Sequence, residues 1–191
     1  MNSDRHKANF PLPQQLLVPK AAQHRNSWKV KPIANSIPNN FGQMVVEVPD
    51  SDPSKIINQL KSGQLLTVSK SRRNGLIVYK PHYAEFAGPG AAVGGSCDLD
   101  CYGVYPVGNL DLVSLDTLED RHRAFATRLQ WVKFTTKLTH HSAPLDRAQG
   151  ILQHFEAFFD AATVAKIPDI AFALMVGVFP QTIEKARSLT K

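Results

Sequence analysis

Apolar and polar residues follow no sustained period over residues 1–40, a strand-like pattern over parts of 41–81, and a helical period from residue 116 to the end. The first ordered segment expected is FGQMVVEV, residues 41–48, a β-branched run that ends at Pro49 and predicts a strand. DSDPSKIINQLKSG then predicts a short helix, with Asp52 as N-cap, Pro53 at the first helical position and Gly63 after the last turn. QLLTVSKSRRNGLIVYKP contains two β-rich runs on either side of Asn74-Gly75, a pair that tolerates the positive φ values of a type I′ turn, and so predicts a hairpin. Residues 84–109 are rich in glycine and predict a long ordered loop or irregular strands.

The helical part begins near Asp116. Asp116, Glu119 and Asp120 lie where a helix N-terminus favours acids, and Arg121, Arg123, Arg128, Lys133 and Lys137 follow. Leu118, Phe125, Leu129 and Val132, with Leu115 upstream, predict its buried stripe. THHSAPL breaks the helix, with Ser142 expected as a cap and Pro144 near the next start. Leu145, Ala148, Leu152, Phe155 and Phe159 share one side of that next helix. Two short segments divided at Pro168 follow, and a last helix starts near Pro180.

These elements define an α+β chain in three parts. Residues 1–40 form a basic arm expected to be disordered, 41–114 a small strand, helix and hairpin region with a glycine-rich loop, and 115–191 a helical domain. A chain of 191 residues that is 43% hydrophobic can bury a core. No apolar run is long enough to span a bilayer, and charges and prolines stand where a signal peptide needs an apolar stretch. The expectation is a cytoplasmic protein without membrane contact. The net charge of +6 is concentrated in the arm, where six cations face only Asp4, so residues 41–191 carry +1.

In IAFALMVGVFPQTIEKARSL, residues 170–189, Ala173, Gly177 and Ile183 occur at spacings of four and six. A small residue there lets two helices approach, glycine supplies a left-handed turn, and the β-branched residue fills the space between the helices. Ile170, Val176 and Val178 complete the inward face. The stretch resembles the bacterial helix-turn-helix DNA-binding module, over about 20 residues and nothing upstream. The resemblance implies a recognition helix over 180–189, with Gln181, Thr182, Glu184, Lys185 and Ser188 directed outward and Arg187 in reach of the backbone. Gln and Glu suit base edges, while Thr and Lys suit phosphates. Phe179 stands where such modules place a capping Ser or Thr, and residues 160–191 carry only +1. Further phosphate contacts are therefore expected from Lys29 and Lys31 in the arm and from Lys70, Arg72 and Arg73, with Lys80, around the hairpin.

Other chemistry is weakly signalled. Cys97 and Cys101 are spaced C-x3-C, unlike a tight zinc knuckle, and His140 and His141 are adjacent, so no metal or cofactor is expected. GPGAAVGGS, residues 88–96, lacks the Lys-Ser/Thr of a phosphate-cradling loop. Ser96, His82, His122 and His154 have no partners at catalytic spacing, so no enzyme is expected. Two functions remain. One is a transcriptional regulator that binds double-stranded DNA, as a dimer because one such unit covers a half-site. The other is a non-catalytic adaptor whose helical domain docks a protein partner or an RNA-protein complex.

Overall fold

The computed structural model describes residues 52–70 and 73–189; the arm and the strand expected at 41–48 lie outside them. The first helix, α1 (Pro53–Lys61), follows the sequence signals closely. The Asp52 carboxylate accepts from the Ser54 N–H, Pro53 opens the first turn, and Gly63 has φ +82° just beyond the end.

Among the described residues six strands follow: β1 (Leu65–Val68), β2 (Gly75–Tyr79), β3 (Ala84–Ala87), β4 (Ala92–Gly94), β5 (Gly103–Val107) and β6 (Leu112–Ser114). They form two antiparallel sheets ordered β4-β1-β6 and β3-β2-β5. The expected hairpin across Asn74-Gly75 is therefore corrected, because β1 and β2 belong to different sheets. Asn74 is fully buried and its amide donates to the Asn109 carbonyl at 3.2 Å. Gly75 lies inside β2 against the Phe86 ring, where a Cβ would come within 2.2 Å. Asn-Gly serves close packing here, and the tight connection is β2 to β3, with Tyr79 opposite Ala84. The glycine-rich residues 84–109 hold three of the six strands, together with a short 3-10 turn at Gly95–Cys97.

Five helices complete the fold: α2 (Leu118–Thr139), α3 (Pro144–Phe158), α4 (Ala161–Lys166), α5 (Asp169–Val176) and α6 (Pro180–Leu189). Two apolar clusters lie on opposite faces of β2. Ile77 joins Phe86 and Tyr105 under α3, α4, α5 and α6, whereas Leu76 and Val78 join Leu66, Val68 and Val93 with Ile56 and Leu60 of α1. This explains the continuous apolar run GLIVY, since a strand covered on both sides needs no polar alternation. Packing thus runs across residue 114, and the described residues form one unit.

Phe86 organises the helical side. Its ring contacts Phe155 (4.9 Å between centroids), Trp131 (5.1 Å) and Phe159 (5.9 Å), all in edge geometry. Trp131 packs against both clusters and lies over Gly88, which has no room for a side chain.

The second correction concerns α2. Leu118 and Leu129 of its expected buried stripe are 69% and 56% exposed, and the inward residues are Ala124, Arg128, Trp131, Phe134 and Leu138. The cause is ionic. The Arg128 guanidinium donates to Glu85 of β3, to the Ala92 carbonyl of β4 (3.0 Å) and to Asp98 (3.4 Å). Asp98, with no exposed surface, also faces Lys80 at 3.2 Å and accepts from the Gly94 N–H at 2.8 Å. Burial alone would lower the Lys80 ammonium, but hydrogen bonding to Asp100 and the charge of Asp98 outweigh it and raise it above its ordinary value. Thr117 caps α2, with Glu119 and Asp120 in its first turn and Asp116 ahead of the cap, and Ser142 gives no side-chain cap to α3.

Two outcomes are expected from this packing. Asp98→Ala leaves two buried cations short of a partner and should cost about 3 kcal/mol in urea unfolding, where a loss below about 1 kcal/mol would deny the network its role. Burial also pushes the His154 imidazole, stacked on Phe134 at 3.5 Å, below its ordinary value of 6.5. A depressed value means that this contribution is complete above pH 6.5 and is lost as pH falls, because the unfolded chain takes the proton first. The melting temperature should therefore drop as pH falls below 6.5, and His154→Phe should flatten that drop.

Candidate nucleic-acid interface

The turn between α5 and α6 is built by Gly177, at φ +64° and ψ +50°. Its N–H and that of Val178 both turn back to the Ala173 carbonyl, the latter at 3.1 Å, the bond that closes a Schellman turn. Ala173, Val176 and Ile183 are buried around this turn. Arg147 of α3 donates to the Gly177 carbonyl at 3.1 Å and fastens the turn to the neighbouring helix. No feature of the sequence marks that contact, because Arg147 looks like a solvated helical cation.

Ile183 and Ala186 seat α6 on the core. Gln181, Glu184, Lys185 and Ser188 then fall on one exposed face, at intervals of three and four residues, with Thr182 half-buried beside them. The Ser188 hydroxyl donates to the Lys185 carbonyl at 2.7 Å within the helix. One acid and one base leave this face without net charge.

Arg187 is placed differently from the expectation of a backbone contact. Its Nε donates to Asp169 at 2.7 Å and one terminal nitrogen to the Ile167 and Val164 carbonyls at 2.9 and 3.3 Å. The guanidinium also lies 5.3 Å from the Phe172 ring centre. It joins α6 to α4 and α5, and a phosphate would have to displace those bonds.

Phe179 precedes α6 with its side chain 79% exposed, and its carbonyl accepts from the Thr182 N–H at 2.9 Å. Lys70 and Arg73 are exposed, while Arg72, Lys29 and Lys31 lie outside the described residues. Lys80 is 3% exposed and locked between Asp98 and Asp100, which corrects its assignment to a solvated basic site. Cys97 and Cys101 are free thiols, and burial pushes the Cys101 thiol up. Among the described residues no cluster of three His, Cys, Asp or Glu side chains is arranged to hold a metal ion, and no helix is long and apolar enough to cross a membrane.

The architecture is thus an α+β protein whose last two helices meet at a glycine turn and leave one polar helical face uncovered. Compared with known proteins, the chain matches no family model and no curated protein.

The missing cap gives a direct check on the α6 N-terminus. Phe179→Ser exchanges an exposed ring for a hydroxyl that reaches the free amides, and should stabilise the protein by about 0.5–1 kcal/mol in chemical unfolding. A neutral or destabilising result would mean that the Phe179 ring has a packing role.

Proposed function

We propose that the chain is a bacterial, cytoplasmic regulator of transcription that binds double-stranded DNA through α6. The observation that carries this reading is the uncovered face of Gln181, Glu184, Lys185 and Ser188 on a helix held to the core by Ile183 and by the Gly177 turn. Gln181, nearest the helix start, matches adenine with two hydrogen bonds, Glu184 accepts from cytosine, and Thr182 and Lys185 serve phosphates. Because this face is neutral, most of the affinity comes from cations elsewhere: Lys29 and Lys31 along the backbone, and Lys70, Arg72 and Arg73 as a second phosphate contact.

One observation favours a second reading. The exposed Phe179 ring beside a neutral helical face is the chemistry of a protein contact, and on that reading the helical domain is an adaptor docking surface.

Fluorescence anisotropy with a mixed-sequence duplex, titrated with salt, separates the two. Gln181→Ala with Lys185→Ala should weaken binding about tenfold and lower the salt slope by about one, and removal of residues 1–40 should lower that slope further. Unchanged binding by the double variant, with loss on removing residues 1–40, would contradict the recognition-helix assignment. Absence of duplex binding at low salt would favour the adaptor.

A further inference from the structure

The outward face of α2 carries more apolar surface than one isolated side chain. Leu118 and Leu129 are exposed, and Phe125 and Val132 are half-buried yet join neither core cluster. With His122 and Thr136 they fall at positions 118, 122, 125, 129, 132 and 136, alternating steps of four and three. That is the spacing of a helix-pairing seam, and it runs opposite the inward line of Ala124, Arg128, Trp131 and Leu138. Single exposed leucines are ordinary, whereas a continuous seam along a helix of 22 residues needs a cover.

Its occupant follows from symmetry and charge. About Thr127 the seam positions are symmetric: Phe125 stands opposite the Leu129 position, His122 opposite Val132, and Leu118 opposite Thr136. Glu119 near the start, bridged to Arg123 of its own helix at 3.7 Å, and Lys133 and Lys137 near the end lie on the same side of the seam. An antiparallel second α2 sets Glu119 against the lysines of the other copy, sets Phe125 on Leu129 twice, and opposes the two helix dipoles.

We propose that α2 is the surface through which two copies of this chain associate, antiparallel and about a twofold axis level with Thr127. The association goes beyond the DNA reading and holds whether or not α6 binds DNA.

Light scattering and sedimentation on the full chain, without DNA, test it. The mass should rise from 21.1 kDa toward twice that across the micromolar range. Leu129→Glu, at an exposed site, should leave the circular dichroism spectrum unchanged and raise the dimer dissociation constant at least about 100-fold. Glu119→Lys should weaken association, and adding Lys133→Glu with Lys137→Glu in the same chain should restore it. A monomer throughout that range overturns the proposal, as does a dimer indifferent to Leu129→Glu or a charge inversion that fails to restore pairing. Association that is lost on removing residues 1–40 but survives Leu129→Glu also overturns it, because the arm would then be what joins the copies.

Discussion

The Asp98 carboxylate, buried with two cations and a backbone amide around it, sets the arrangement of the remaining elements. Lys80 approaches from the end of β2, Arg128 from the middle of α2, and the Gly94 N–H from the end of β4. Buried charges left without partners cost several kcal/mol, so these three elements have one low-energy arrangement. Arg128 extends the constraint to Glu85 and the Ala92 carbonyl, which fixes the rotation of α2 about its own axis. With Arg128 inward, Trp131 falls on Gly88 and Phe86, and Leu118 and Leu129 fall outward.

From that point the helical layer follows by packing. Phe86 on β3 receives Trp131, Phe155 and Phe159, and Phe155 meets Phe172 of α5 at 4.9 Å. α5 and α6 are then joined by Gly177, by Ile183 between them, and by Arg187 across to Asp169. The polar face of α6 is therefore a consequence of a chain of contacts that begins in the sheets. A surface held this firmly is preorganised for whatever it binds, which reduces the ordering cost of recognition.

Local signals were legible wherever one residue type answers one local need. Asp52, Pro53 and Gly63 mark α1, Pro144 marks α3, and Ala173, Gly177 and Ile183 mark the last two helices, because caps, first-turn prolines and left-handed glycines act over a few residues. Partners distant in sequence were not legible. Asn74-Gly75 has the composition of a hairpin turn, and only the Phe86 ring and the Asn109 carbonyl show why it is not one. On α2 two seams of similar period compete. The more apolar one looks like the core, and a buried Arg128 paired 43 residues away to Glu85 reverses the choice. At the candidate interface, the outward residues of α6 follow from periodicity alone, but the inward turn of Arg187 depends on carbonyls that appear only when α4 ends beside it.

On this account, a neutral helical face takes its specificity from α6 and its affinity from cations elsewhere on the chain. The most direct measurement is an NMR titration of the isotopically labelled full chain with a short mixed-sequence duplex, followed residue by residue. The shift changes should centre on residues 178–188, strongest at Gln181, Thr182 and Lys185, and weaken as salt rises. Shift changes confined to other elements, with those residues unmoved, would contradict it.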